Sequence, residues 1–277
     1  MNKKKIILWT IITLLSISVF LLYDNKRISI SRIELENAKV KKDIIITQIS
    51  DFHNTRFGKE QKNIIIKVKE TSPDIIVITG DIIDRNHTDV DVALQLVNEL
   101  VKIAPIYYVT GNHEAASEEY EMLNIGMQNV GVQILLNETL YLKEYNVCLH
   151  GVEDPAFTIE DYLFQTEESV MLEALDTLEF DLNYYNILLS HRPEFFEEYC
   201  QHNINLILSG HAHGGQIRIP GVGGVVAPGQ GIFPEYTEDI YNDAATSMVV
   251  SRGLGNSIIP LRINNNPELV QIVISGE

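Results

Sequence analysis

Five short stretches in this 277-residue chain carry residues able to bind metal ions, and each follows an apolar run. Run 44–50 leads into Asp51-Phe52-His53, and run 74–79 into Gly80-Asp81-Ile82-Ile83-Asp84. Run 105–110 leads into Gly111-Asn112-His113-Glu114, run 186–190 into His191, and run 204–209 into Gly210-His211-Ala212-His213. Carboxylate and amide oxygens combined with imidazole nitrogens suit Mn²⁺, Fe, Zn²⁺ or Ni²⁺, and no cysteine stands among them to favour softer ions. Read as strand continuations, Asp51 and His53 share one face with Phe52 opposite, as do His211 and His213 around Ala212. Each pair can then address one metal cluster. Gly80, Gly111 and Gly210 permit tight turns and close backbone approach.

The runs that precede these residues are short and rich in Ile, Val and Tyr, as expected of strands buried on both faces. Helical patterns over 60–69, 89–102 and 118–130 follow the first three. This alternation predicts a layered α/β fold, and ligands in such sheets gather at the carboxyl ends of strands. Further strand candidates at 141–149, 216–219, 247–251 and 269–274 have no helices between them. The expected architecture is a central mixed sheet or β-sandwich flanked by helices. The glycine-rich stretch 221–231 lacks the lysine and spacing of a phosphate-binding loop and is expected to be a mobile rim loop. Residues 154–181, acidic and amphipathic, are expected to form a helical cap or a surface helix.

D-x-H, G-D-x-x-D, G-N-H-E, a lone His and G-H-x-H, in that order from Asp51 to His213, resemble the calcineurin-like metallophosphoesterase superfamily. The N-terminal apolar segment together with SHRPE, GHAHGGQIRIP and SRGLG is similar to a membrane-associated bacterial branch of it. The resemblance implies a four-layer fold and two divalent metal ions drawn from Mn, Zn, Fe, Ni or Mg. It implies that Asp51, His53 and His213 bind the first ion, that Asn112, His191 and His211 bind the second, and that Asp81 bridges both. A metal-bridging hydroxide would attack phosphorus in line, splitting a phosphomonoester or phosphodiester. His113 would lie off the metals and act on the leaving oxygen. Asp84 resembles the carboxylate that orients this histidine, and Arg85 is a candidate phosphate contact. Glu114 reads as a helix-starting carboxylate, and His87, His150 and His202 as structural or exposed. The alternative is a metal-binding envelope protein or scaffold with little turnover, against which His113 argues, since a pure metal binder has no use for it.

Lys3, Lys4 and Lys5 precede an uncharged apolar run over residues 6–23, just long enough to cross a hydrocarbon core of ~30 Å. No small-x-small cleavage site follows. The expectation is one uncleaved transmembrane helix within a membrane anchor over 1–27, a basic juxtamembrane segment over 28–42 and a catalytic domain over 43–277. The denser positive charge before the span puts the N-terminus inside and the catalytic domain outside a cell membrane crossed once. Residues 1–42 hold nine Lys/Arg against three Asp/Glu, whereas the rest of the chain is net −23. A body this acidic repels a nucleic-acid backbone, so the expected partners are the membrane and a phosphoester, lipid-linked or of the cell envelope. Cys148 and Cys200 form no C-x-x-C motif and read as two free thiols.

Overall fold

The computed structural model describes residues 3–159, 165–256 and 261–276. Helix α1 (Lys3–Asp24) is followed by strand β1 (Ser29–Glu36) and strand β2 (Ile44–Ile49). Then come α2 (Lys62–Thr71), β3 (Ile75–Thr79), α3 (Val90–Leu100), β4 (Ile106–Val109), α4 (Asn112–Ala115), α5 (Tyr120–Asn129) and β5 (Gln133–Ile134). The second half contains β6 (Glu138–Leu142), β7 (Val147–Gly151), α6 (Glu167–Asp176), β8 (Tyr185–Leu189), α7 (Phe196–Tyr199) and β9 (Leu206–Ser209). It ends with β10 (Arg218–Ile219), β11 (Gly223–Gly224), β12 (Val226–Ala227), β13 (Gly231–Ile232), β14 (Asp239–Asp243), β15 (Thr246–Val250) and β16 (Glu268–Ser275).

Two six-stranded sheets form the centre, in the orders β1-β16-β2-β3-β4-β5 and β14-β15-β9-β8-β7-β6. Their packing follows from alternation along apolar strands. Ile75 and Val77 of β3 face the space between the sheets, whereas Ile76 and Ile78 face α2, α3 and α5. Leu206 and Leu208 of β9 also point between the sheets, and Ile207 points toward α6 and α7. Every strand of this kind is therefore apolar on both faces, and helix, sheet, sheet and helix layers result. The fold is a mixed α/β sandwich with flanking helices.

Several boundaries differ from the sequence expectation. Residues 28–42, expected as a basic juxtamembrane segment, contain β1, which pairs in parallel with β16 through eight registered positions, Ser29↔Glu268 to Glu36↔Ser275. As an edge strand with mostly half-buried or exposed side chains it lacks a strong hydrophobic pattern. Residues 141–149 span a hairpin of β6 and β7 rather than one strand. The glycine-rich stretch is ordered into two small hairpins, β10–β11 and β12–β13. The expected cap contains α6, and residues 160–164 of it lie outside the described residues.

The apolar run forms α1, and its large side chains, among them Ile7, Trp9 and Leu15, are exposed. Among the described residues, which leave out the side chains at positions 17, 20 and 22, no helix is long and apolar enough to cross a membrane. Cys148 and Cys200 are both free. His150 is structural: it is buried, with Nδ1 2.8 Å from Thr139 Oγ1 and Nε2 3.1 Å from Asn186 Oδ1.

Candidate metal centre

The parallel strands β2, β3 and β4 of one sheet and β8 and β9 of the other direct their carboxyl ends to one edge of the sandwich. The nine candidate residues all follow those ends. Three groups of donor side chains converge there: His53, Asp84 and His113, and two that share Asp81, namely Asp51, His53, Asp81 and His213, and Asp81, His191 and His211. Within each group the donor atoms lie within 4.8 Å of one another. Its Oδ2 stands at the centre, 3.2 Å from His191 Nε2, 3.7 Å from His53 Nε2 and 4.0 Å from His113 Nε2. His213 Nε2 is 3.4 Å from Asp51 Oδ1 and 3.3 Å from His53 Nε2, and His211 Nδ1 is 3.0 Å from His191 Nε2.

The pairs do not meet by strand alternation, as the sequence reading expected. Both lie beyond their strands, in loops. Asp51, His53, Asp81, His211 and His213 all have positive φ, between 46° and 64°. Left-handed backbone costs a non-glycine residue of order 1–3 kcal/mol and persists only where its surroundings enforce it. The enforcing contacts are visible. Asp51 accepts the His211 N–H at 3.1 Å, and Asp81 Oδ1 accepts the His113 N–H at 2.8 Å. The turn glycines add close approach: a Cβ on Gly80, itself at φ 85°, would lie 2.6 Å from His191 Nδ1, and one on Gly111 would run into Asp81 Oδ1.

The donor set fits divalent cations on two independent observations. Asn112 Oδ1 is buried without a hydrogen-bond partner, a cost that a cation would remove. His191 donates its Nδ1–H to the Thr79 carbonyl at 2.8 Å, which turns Nε2 toward Asp81 as an available lone pair once its proton leaves. Electrostatics agree. Burial lowers His53 to about 4 and holds His211 and His213 well below the usual imidazole range, so these rings are neutral and able to bind a cation. Burial, with Asp81 adding to it, raises Asp51 to about 6. Burial alone would lower His191, but Asp81 beside it outweighs this and raises it to about 10. Without metal, His191 is therefore an imidazolium paired with an ionised Asp81.

Metal binding must expel the His191 proton. We expect the affinity for Mn²⁺ to fall as pH is lowered from about 8 to about 5, with protons released on binding. Calorimetric titration in buffers of different ionisation enthalpy measures this, and binding without proton release would contradict it.

His113 and its neighbours sit beside the two groups that share Asp81. Its Nδ1 accepts the backbone N–H of Arg85 at 3.1 Å, so the neutral ring carries its proton on Nε2, the nitrogen facing Asp81. Burial lowers its pKa, only partly opposed by Asp81 and Asp84. Asp84 stands beside this ring: it shares a donor group with His53 and His113, all within 4.8 Å of one another. It does not hydrogen-bond His113: its Oδ1 accepts the N–H groups of Asn86 and His87, closing a local turn, and its Oδ2 is 3.9 Å from His53 Nδ1. The hydrogen bond on the His113 ring comes from the Arg85 backbone, and the Arg85 side chain is exposed.

Sequence reading undervalued four residues. Glu114 is buried and accepts three backbone N–H groups, from Asp81 at 2.8 Å, Gly111 at 2.7 Å and Ile83 at 3.2 Å. It thereby fastens the loop bearing Asp81 to the loop bearing Asn112. Burial, then Asp81, raises it to about 8. Glu114→Gln replaces one accepting oxygen by an NH₂ that faces an N–H, and should cost about 1–3 kcal/mol of stability in chemical denaturation. An unchanged midpoint would refute this role. Arg192 forms a buried bidentate pair with Asp154, at 2.6 and 2.9 Å, and its Nη1 lies 3.5 Å from His211 Nε2. Glu194 Oε1 is 3.7 Å from His211 Nε2. Arg262, fully buried, places Nη2 3.4 Å from His213 Nδ1. Arg192 and Glu194 stand in the SHRPE string. Arg262 had no sequence signal.

A family model described as calcineurin-like phosphoesterase matches residues 44–215. The chain belongs to the calcineurin-like phosphoesterase family. An uncharacterized metallophosphoesterase of Bacillus subtilis, YkuE, is 32% identical over 241 residues, covering 83% of this chain and 79% of its own. A bovine transmembrane protein with metallophosphoesterase domain is 29% identical over 245 residues, covering 83% of this chain and 53% of its own. In fold, the chain is similar to the TT1561 protein of Thermus thermophilus, with a TM-score of 0.52 and 15% identity over 76% of this chain and 90% of that one. This family uses two divalent metal ions, and the protein is a metal-dependent phosphoesterase.

Proposed function

We propose that the protein hydrolyses a phosphoester of the cell envelope while anchored to the cell membrane by α1. In this reading Asp51, His53 and His213 hold one cation, Asn112, His191 and His211 hold the other, and Asp81 serves both. The observation that carries it is the place of Asp81 Oδ2, common to two groups of buried donors. The bound cations would supply Lewis acidity toward the phosphate oxygens and lower the pKa of water. The chain's own residues do the rest. Asp81, held by the His113 and Glu114 contacts, fixes the centre. His113, a neutral ring with its proton on Nε2, would donate a hydrogen bond to the leaving oxygen and stabilise the charge that develops there.

Anchoring is supported by the 22-residue length of α1, the exposure of its apolar side chains and the lysines before it. The bovine relative is itself named a transmembrane protein. On the positive-inside rule the catalytic body, which begins with β1, lies outside the cytoplasm. The test is hydrolysis of bis(p-nitrophenyl) phosphate and p-nitrophenyl phosphate by the detergent-solubilised full chain, stripped of metal and then given Mn²⁺, Zn²⁺, Ni²⁺ or Mg²⁺. Metal-restored cleavage supports the reading, and the ratio of the two rates separates diesterase from monoesterase. Cleavage of neither ester with any metal would argue against it.

A further inference from the structure

The register of β1 decides where α1 joins the body. β16 runs antiparallel to β2, with Val270 opposite Gln48, and β1 runs parallel to β16, with Ser29 opposite Glu268. The start of β1 is therefore level with the carboxyl end of β2, just before Asp51. Side chains tie this junction to the metal edge. Asn25 brackets Arg262 from both sides, accepting its N–H at 2.7 Å and donating to its carbonyl at 2.9 Å. Asn266 donates to the Asp24 carbonyl at 3.0 Å. The guanidinium of Arg262 reaches His213. Arg252 bridges Ser29 Oγ at 3.1 Å and Glu268 at 2.9 Å.

The two glycine-rich hairpins occupy the same edge. They begin at Arg218, five residues after His213, and the Arg218 N–H donates to the Ile263 carbonyl, one residue beyond Arg262. A Cβ on Gly229 would strike Glu194, which lies beside His211. Their large apolar side chains face solvent: Ile219, Val222, Ile232 and Phe233 are 45, 61, 73 and 65% exposed. Four such side chains on one loop system exceed the scattered exposure that needs no explanation. Lys26, Arg27 and Arg56 are also exposed near the junction, with Lys26 Nζ 3.4 Å from the Arg56 carbonyl and Arg56 paired with Asp89 at 2.9 Å. The remainder of the body, net −23 beyond residue 42, is repelled by an anionic lipid surface.

We propose that these hairpins rest in the lipid headgroup region, so that the metal centre opens onto the bilayer into which α1 inserts. The occupant of this surface is the membrane itself. The substrate class follows: a phosphoester at the bilayer–water boundary, with its acyl part left in the lipid. This inference rests on the anchored reading of α1 and on the metal-centre reading given above.

The test uses the full chain in phosphatidylglycerol–phosphatidylcholine vesicles with and without doxyl-labelled lipid. Trp9 is the one tryptophan of the sequence and reports α1. A Trp9→Phe, Phe233→Trp double variant reports the hairpin. Quenching of both residues is the expected result. Quenching at position 9 without quenching at 233 would overturn the proposal and leave the anchor standing. No quenching at position 9 would mean that the anchored reading fails, and the proposal with it. In a second arm, Val222→Asp combined with Phe233→Asp should slow hydrolysis of vesicle-borne phosphatidyl-p-nitrophenol roughly tenfold and leave bis(p-nitrophenyl) phosphate unchanged. Equal effects on both esters, or a wild type that cleaves only the soluble one, would overturn it.

Discussion

Asp81→Asn is expected to lower metal-dependent hydrolysis by roughly 10³-fold or more, with the fold intact. The reason lies in how its two oxygens are used. Oδ1 accepts the His113 N–H, and an asparagine oxygen can still do so. That leaves the amide NH₂ where Oδ2 was, 3.2 Å from His191 Nε2 and 3.7 Å from His53 Nε2. A donor then faces the space intended for cations, and the negative charge shared by both donor groups is gone. Rates at saturating Mn²⁺ and circular dichroism spectra measure this. A variant that keeps wild-type turnover would remove Asp81 from the centre of the site.

His113→Ala is expected to lower kcat about 10²- to 10⁴-fold while both metals stay bound. The Arg85 N–H occupies Nδ1 and fixes the proton on Nε2, and the ring also packs edge-on to His53 at 4.4 Å. A hydrogen bond that stabilises charge on a leaving oxygen matters most when that oxygen is basic. The loss should therefore be much larger for a phenyl ester than for a p-nitrophenyl ester, whose leaving group departs unaided. Equal losses on the two esters would place the action of His113 away from the leaving oxygen. Loss of metal along with activity would make His113 a structural neighbour of the ligands.

Much of the layout was legible because its signals are local. β2, β3, β4, β8 and β9 are apolar on both faces, and each run stops abruptly at a residue with a donor atom. Six of the residues expected to bind metal, Asp51, His53, Asp81, His191, His211 and His213, fall in two donor groups that share Asp81. What was not legible depends on contacts far apart in sequence. β1 carries weak alternation because it is an edge strand, and only its pairing with β16, more than 230 residues away, reveals it. Asp51 with His53 and His211 with His213 converge through left-handed loop backbone, which the side-chain period of a strand cannot predict. Glu114 has the spacing of a helix-start carboxylate and is one, yet its three accepted N–H groups bind two active-site loops together. Asp84, placed by analogy beside His113, stands within 4.8 Å of it in one donor group with His53, while the hydrogen bond on the ring comes from the Arg85 N–H.

The central claim is that two cations share Asp81, and counting them tests it most directly. Full-length protein, stripped and then titrated with Mn²⁺, should bind two ions per chain by elemental analysis after desalting. Hydrolysis of a phosphoester should rise with the second equivalent, and Asp81→Asn should lose both the second ion and the activity. Full activity with one ion per chain, or two ions held equally by Asp81→Asn, would contradict the account.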